Sequence, residues 1–546
     1  MKSLSSLKWI YSNSKKTLPY LILLTVISAF MSLCLVALTY LGKQIVDIAT
    51  GAYHGAFWDK IILLAFFIIL ELILQVVYSR LNIKLSGKME MSIKTSVFNR
   101  LLKKDISDIY KYHTGELLNR LTGDVVVVTT AFTSIVPVVV SLITKLIGAF
   151  SMLFWLDPSF ALIYLIFGPV FILVTQIYSR KMKSLHKKCQ ESDGKVKSYI
   201  QEALSNILVI KAFKNEEAIA NETYNLQKIN FNFKIKRNTI SIIANILVYI
   251  AFTFGYYLAL GWGAYKLSFG YITVGTLTAM LQLVSQVQTP FRGISSIIPQ
   301  FYHAIASTER IIEIENLKED MEGYDDQYLS NIYSDMKSIV FSDVSFKYDD
   351  RNIVVNNFSY TILKGDFIAI RGISGIGKST LLKLLLGVIK PDSGEIYIEL
   401  NNNKKIKIDE KTRGLFSYVP QGNMILSGSI RDNIKFFKKD VSDDLIFEAC
   451  KIARIYDFIK ELPDGLSTII GEKGVGLSEG QIQRVAIARA LICDSPLLLL
   501  DESTSALDEQ TEKEFLESIK NIKTRTCLIV SHKQAAFDIC DKTIEF

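Results

Sequence analysis

Three short stretches carry residue types that could do chemistry together. GISGIGKST, Gly372 to Thr380, follows the apolar run IAIR and precedes LLKLLLG, which reads as strand, glycine loop and helix. Gly372-x4-Gly377-Lys378-Ser379 matches the phosphate loop: its glycines let backbone N–H groups close on phosphate oxygens, and the helix N-terminus adds its positive end. Lys378 neutralises phosphate charge, and the Ser379 hydroxyl can ligate Mg2+. LLLLDE, Leu497 to Glu502, reads as a buried strand ending abruptly in two carboxylates. Asp501 can hold the Mg2+ shell through water, and Glu502 can accept a proton from an attacking water. GVGLSEGQIQR, Gly474 to Arg484, has the glycines, serine and helix start that suit an anion, yet it lacks the lysine. The chain therefore holds one complete phosphate cradle and one lysine-free anion loop.

Each stretch has a bland counterpart. A glycine turn can arise by chance, but here a strand and a helix flank it. A strand can end in two surface acids, but four leucines aim these at the edge where parallel sheets bind ligands.

The elements that must position these residues begin after Arg310, where the composition changes. Residues 313–335 are acidic and polar, and from Ile339 strands alternate with helical patterns, which predicts an α/β domain. The preceding half is different. The whole chain has 546 residues, 49% of them apolar, and a mean hydropathy of +0.27, so more than one domain and a membrane setting are expected. A hydrocarbon core needs about 20 apolar residues per helix. Candidate spans are Leu18–Leu41, Phe57–Tyr78, Ile135–Leu156, Phe160–Tyr178, Ile240–Leu260 and Ile272–Pro290. The sixth carries Gln282, Ser285, Gln286, Gln288 and Thr289 and is expected to face protein or a wet cavity.

The net charge of +8 does not point to nucleic acid, because the basic residues crowd the segments between apolar runs. Arg80, Lys84, Lys88, Lys94 and Arg100 follow the second span, and Arg180 through Arg237 follow the fourth. The long basic loops are thus expected in the cytoplasm with both termini inside. Trp58, Trp155 and Trp262 fall at the outer interface of that topology, and Trp9 falls on a short inner surface helix. Residues 79–132 and 179–238 read as helical continuations of the spans, turning back near 110–125 and 201–217 like two levers. Glu71 and Lys145 are costly inside a bilayer and are expected to pair or to contact cargo. The six scattered cysteines form no CxxC, so neither a zinc site nor a disulfide frame is expected.

In order along the chain, Tyr348 in FKYDD, Gln421 in YVPQ, LSEGQ, LLLLDE, SALD (Ser505 to Asp508) and His532 in SHK resemble the nucleotide-binding domain of an ATP-binding-cassette (ABC) transporter. The six-span half, with HTGELLNRLTGDV and VIKAFKNEE, resembles the exporter branch. The resemblance covers essentially the whole chain. It implies an all-α six-helix transmembrane domain over 1–310, a linker over 311–338 and an α/β cassette with a helical subdomain over 339–546.

The resemblance also implies roles. Gly372, Ser374, Gly375, Gly377, Lys378, Ser379 and Thr380 would hold ATP, and Tyr348 would stack on adenine. Ser379, Asp501 and Gln421 would attend Mg2+, with Gln421 reporting to the levers. Glu502 would be the base, His532 would contact the γ-phosphate, and Glu472 in GEKG would touch the levers. Alone, such a glutamine is usually surface filler and such a histidine a structural one; motif position decides for both. In this family two cassettes meet head to tail. Ser478, the Gly480 backbone and Gln481 would then cap ATP held by the partner, and Asp508 would couple the two sites. That answers what the lysine-free loop is for: the phosphate belongs to a second subunit, most simply a second copy of this chain.

The implied function is ATP-driven export of an amphipathic or hydrophobic peptide, lipid or drug-like molecule across the bacterial cytoplasmic membrane, with membrane lipids as neighbours. The alternative is a membrane-anchored ATPase acting as importer, channel gate or regulator. Two departures stand out. Glu479 replaces a glycine of the LSGGQ consensus, tolerable if the backbone there needs no positive φ. Family cassettes also usually continue through more strand and helix beyond the equivalent of Phe546, so the sheet edge there is expected to be less stable.

Overall fold

The computed structural model describes every residue except 1, 166, 321–322, 349–352, 374, 423–424, 437, 439, 472–475 and 523–524. Ser374 and Glu472 lie outside the described residues. The chain divides into two compact units, one of 1–101 with 114–316 and one of 102–113 with 317–546.

The first unit is helical. It opens with α1 (Lys2–Ser14) and α2 (Leu18–Ala49), followed by the long α3 (Phe57–Leu101). A short α4 (Ile106–Ile109) belongs to the second unit, and α5 (Thr114–Asn119) returns to the first. Residues Arg120–Asp124 form a π-helical turn that feeds α6 (Val125–Leu156). Then come α7 (Pro158–Leu165), α8 (Phe167–Ser205), α9 (Ile207–Ala212), α10 (Glu216–Ser268) and α11 (Val274–Glu315).

Four stretches of the described residues are long and apolar enough to cross a membrane: Ser5–Ala49, Phe57–Leu101, Thr114–Leu156 and Glu216–Ser268. The other two expected spans fall in α7–α8 and in the more polar α11. On α2 the small residues Ser28 and Ser32 are buried and face α6, donating to the Pro137 carbonyl at 3.0 Å and pairing with the Ser141 hydroxyl at 2.7 Å. Small polar residues at helix contacts let backbones approach where lipid supplies no hydrophobic drive. On α11, Met280, Leu283, Val284 and Val287 bury against Leu153, Phe160, Tyr164 and Ala259.

The polar residues of α11 divide in two. Gln286 donates to Thr39 at 2.8 Å and Gln288 donates to the Phe252 carbonyl at 3.0 Å, so these two face protein. Gln282, Ser285 and Thr289 line up on an exposed stripe. Glu71 and Lys145 sit close enough for their charges to interact but form no contact ion pair. Trp9 donates to Glu315 Oε2 at 2.7 Å, which ties α1 to the far end of α11.

The first turn comes earlier than 110–125. Residues 103–105 pair with the chain entering the cassette: Asp105 N donates to Lys318 O at 2.8 Å, and Asp320 N to Lys103 O at 2.9 Å. Lys104, almost fully buried, forms a 2.9 Å ion pair with Glu319. This exchange places α4 with the second unit.

In that unit, α12 (Asp326–Asp335) inserts Leu329 and Ile332 into the core shared with β1 (Met336–Lys347) and β2 (Ile353–Leu363). Next along the chain come β3 (Phe367–Arg371), α13 (Lys378–Leu385), β4 (Ser393–Leu400), β5 (Lys405–Lys407) and β6 (Phe416–Val419). A helical subdomain follows: β7 (Gly428–Ser429), α14 (Ile430–Lys435), α15 (Asp443–Ile452), α16 (Tyr456–Glu461) and β8 (Ile469–Ile470). The chain closes with α17 (Glu479–Ile492), β9 (Leu497–Asp501), α18 (Glu509–Lys520), β10 (Thr526–Val530), α19 (Gln534–Ile539) and β11 (Lys542–Glu545).

One sheet is antiparallel, in the order β2-β1-β4-β5, and the other is parallel, in the order β11-β3-β10-β9-β6. Every residue of β9 is buried, as an apolar run covered on both faces requires. The sheet order sets the loops after β3, β10, β9 and β6 side by side at the carboxyl edge, where open α/β sheets bind ligands. At the edge of this sheet β11 pairs with β3 beside the glycine loop, and Phe546 packs on Phe358 with ring centroids 5.4 Å apart.

Candidate functional site

The loop after β3 is shaped by its glycines. Gly375 has φ +82° and Gly377 φ +120°, a region that disfavours side chains. A Cβ at Gly377 would also lie 2.8 Å from the Val354 carbonyl oxygen. Lys378 opens α13, is 4% exposed, and donates to the carbonyls of Gly372 at 2.8 Å and Ile373 at 3.0 Å. Tyr348, 59% exposed, packs at right angles to Phe346 and hydrogen-bonds through its hydroxyl with Thr380 at 3.2 Å, which holds an exposed ring beside the loop.

The neighbouring strand ends complete the cluster. Ser379 donates to Asp501 Oδ1 at 2.9 Å, and Tyr418, at the end of β6, donates to Asp501 Oδ2 at 3.0 Å. Gln421 donates to Glu502 Oε2 at 2.6 Å. His532 Nε2 lies 3.2 Å from Glu502 Oε1 and 3.1 Å from Lys378 Nζ. One ring nitrogen cannot accept from the lysine and donate to the carboxylate at once, so the tautomer selects its partner. Glu502 itself has φ +48°, a backbone strain that costs about 1–3 kcal/mol. The backbone bond from Glu502 N to Val530 O, 3.0 Å long, helps to hold it there.

Burial pushes the Asp501 carboxyl above the ordinary carboxylate range, and its bonds from Ser379 and Tyr418 pull it part of the way back. Burial, with the Asp501 charge behind it, also raises the Tyr418 hydroxyl, which therefore stays a donor. The donor set fits Mg2+. It consists of hard oxygens, Ser379 Oγ and the Asp501 carboxylate, and among the described residues no group of three or more His, Cys, Asp and Glu could hold an ion by protein alone. Mg2+ is usually held that way, by one or two protein oxygens with substrate phosphates and water.

A pH dependence follows from the shift. A carboxyl must be ionised to bind a cation, so apparent Mg2+ affinity should fall on acidification at a higher pH than an ordinary aspartate would give. Tyr418→Phe removes a bond that favours the ionised form, so it should move the fall to still higher pH. Mg2+ titrations of ATPase activity across a pH series check this; a flat profile, or a shift to lower pH in Tyr418→Phe, would contradict it.

Gly474 and Val475 of the lysine-free loop lie outside the described residues, and from Gly476 the loop leads into α17. Ser478 caps α17, and its side chain accepts from Gln481 N while its own N–H donates to Gln481 Oε1 at 2.8 Å, a reciprocal capping box. Glu479 is exposed and lies in the helical first turn, so the substitution needs no positive φ and its charge suits the helix N-terminus. A Cβ on Gly480 would come within 3.1 Å of Ala506 O, which accounts for a small residue there. Among the described residues, the hydrogen bonds of Ser478, Gly480 and Gln481 stay within the start of α17. Asp508 caps α18, accepting from Thr511 N at 2.9 Å.

Three residues were missed by sequence reasoning: Tyr418, Gln483 and Lys533. Gln483 joins α17 to the SALD turn, donating to Ser505 Oγ at 3.1 Å and accepting from Ala506 N at 3.2 Å. Tyr418 stands inside the quoted YVPQ, three residues before Gln421, and that proximity was the available signal.

Comparison with known proteins agrees with this architecture. Residues 16–291 match the family described as ABC transporter transmembrane region, and 355–505 match the family described as ABC transporter. A putative export ATP-binding/permease protein of Rickettsia felis is 31% identical over 95% of this chain and 90% of its own length. ABC transporter B family member 1 of Dictyostelium discoideum is 30% identical over 97% of this chain, which spans 58% of that longer protein. An ATP-dependent lipid A-core flippase of Photorhabdus laumondii is 29% identical over 84% of this chain. The solved structure of a bacterial Atm1-family ABC exporter with ATP bound has the same fold, with a TM-score of 0.82 and 22% identity over 98% of this chain. The chain belongs to the ABC transporter family. It joins a helical transmembrane domain to an ATP-hydrolysing cassette whose turnover is coupled to transport.

Proposed function

We propose that two copies of this chain form an exporter that sandwiches two ATP molecules and moves an amphipathic or hydrophobic molecule outward by alternating access. The carrying observation is the division of labour within one cassette. Lys378, His532, Glu502 and Gln421 form one hydrogen-bonded chain and Ser379, Asp501 and Tyr418 another, the two joined through the backbone at 378–379 and 501–502, while Ser478 is exposed on a helix terminus and, among the described residues, bonds within its own cap. A second copy supplies what the cluster lacks.

On this reading the phosphate loop and Lys378 hold the phosphates, and Tyr348 stacks on the base. Bound Mg2+ would supply charge neutralisation on the phosphates, with Ser379 and Asp501 holding it beside Gln421. Glu502 takes the proton of the attacking water as the γ-phosphoryl bond to the leaving diphosphate breaks, and His532 steadies the γ-phosphate. ATP drives closure only insofar as it binds the closed pair better. The exposed apolar tip at Leu208 and Phe213, and the stretch 102–113, are the lever ends that convey closure to the spans. Both termini and the cassette lie in the cytoplasm of a bacterial cell. The exposed stripe of Gln282, Ser285 and Thr289 offers polar contacts to an amphiphile, and the lipid A-core flippases among the relatives favour the same class.

The test mixes two strongly impaired variants, Lys378→Met and Ser478→Arg, at an ATP concentration well below the KM of Lys378→Met, where each alone is nearly silent. If sites are shared, half of the dimers are mixed and each holds one intact site, so up to about a quarter of wild-type ATPase activity should return, the full quarter being the limit of independent sites. Absence of any recovery in mixed dimers isolated with two affinity tags would overturn the shared site. Uptake of a lipid, peptide or amphiphile panel into inverted vesicles then identifies the cargo.

A further inference from the structure

The turn between β9 and α18 is gripped from two sides. Glu512, in the first turn of α18, is fully buried, and its Oε1 accepts from Thr504 Oγ1 at 2.7 Å. Lys533 Nζ lies 3.6 Å from Glu512 Oε2, donates to Thr504 O at 3.1 Å, and donates to Leu507 O as well. A buried carboxylate is expensive unless charged or polar partners meet it. Here the carboxylate meets the Thr504 hydroxyl and the Lys533 ammonium, and Lys533 in turn holds both ends of the turn. One peptide bond away, His532 reaches Glu502 and Lys378 in the phosphate cluster. From the other side Gln483 holds Ser505 and Ala506, and the Ala506 carbonyl closes on Gly480. The turn is thus a crosspiece between the histidine loop and the helix headed by Ser478.

We propose that Lys533, with Glu512, is a positioning residue that ties the Thr504–Leu507 turn to the His532 loop, so that nucleotide contact in one cassette sets the signature helix the same chain presents to the other. The inference rests on the shared-site reading above. Lys533 touches no reacting atom; it acts through the turn. Its loss should therefore weaken communication between sites more than it weakens ATP binding at either one.

The experiment measures ATPase rate against ATP concentration for the full-length protein in lipid nanodiscs, with a thermal midpoint for each variant. Lys533→Met should lower kcat about tenfold, less than the roughly 10²-fold that a 1 Å misplacement can cost, with KM changed less than about twofold. The wild type is expected to depend cooperatively on ATP, and in Lys533→Met that dependence should become hyperbolic, with a Hill coefficient of about 1. Lys533→Arg should restore cooperativity, and Glu512→Gln should reproduce the loss. Unchanged kcat and cooperativity in Lys533→Met would overturn the proposal. So would equal damage in the Met and Arg variants that tracks a lowered thermal midpoint, which is the mark of a purely structural role. If Lys533→Met fails to fold, Glu512→Gln and Lys533→Arg decide the matter by the same readouts. The mixing of Lys378 and Ser478 variants separates the two ideas: recovery there with a normal Lys533→Met sinks this proposal alone, whereas no recovery sinks both.

Discussion

Glu502→Gln is expected to keep ATP binding and to lose about 10²–10⁴-fold of the hydrolysis rate, the usual worth of a positioned general base. The amide keeps the shape of the carboxylate, so the bond from Gln421 and the contact with His532 need little rearrangement. What disappears is the ability to take a proton. The strained backbone at φ +48° is untouched by the exchange, so any lost activity belongs to chemistry and not to misfolding. Phosphate release measured beside binding of a fluorescent nucleotide separates the two steps. Near-normal turnover would remove Glu502 from the reaction.

Lys378→Met is the second large effect. A charge-assisted hydrogen bond contributes about 1.5–3 kcal/mol, so kcat/KM for ATP should fall roughly 10- to 150-fold. The ammonium donates to the Gly372 and Ile373 carbonyls of its own loop, which hold it inside the curve that a phosphate would occupy. Lys378→Arg should rescue little. The planar guanidinium is larger and less adaptable than a point-like ammonium in a site that leaves the lysine only 4% exposed. ATP titrations of both variants check this, and a wild-type KM in Lys378→Met would contradict the assignment.

The parts of the site that were legible in the sequence were those written in contiguous residues. A glycine loop between an apolar strand and a helix, and four leucines ending in two acids, each carry strand, turn and chemistry within a few positions. The fold class followed for the same reason, since apolar length marks spans and strand–helix alternation marks a parallel sheet. What escaped was set by contacts distant along the chain. Tyr418 meets Asp501 only because β6 lies beside β9, and Lys533 meets Thr504 only because β10 does. The positive φ of Glu502 has no sequence signal at all, because glutamate is not a residue that advertises it. Glu479 shows the reverse case: the sequence stated the condition for tolerance, and the helical first turn of α17 met it. The pairing of 103–105 with 318–320 likewise joins stretches more than two hundred positions apart, beyond any local pattern.

The π-helical turn at Arg120–Asp124 sits between α5 and the long α6, and it is braced by Arg120 to the Arg310 carbonyl at 2.7 Å and by Asp124 to Ser307 at 2.8 Å. A wide turn of this kind holds one residue more than an α turn. Were it to tighten, everything on one side would pivot by about 100° and slide by about 1.5 Å, the increment of a single helical residue. The junction is therefore built like a screw with a loose thread, able to trade a twist for a step without unwinding the rod on either side.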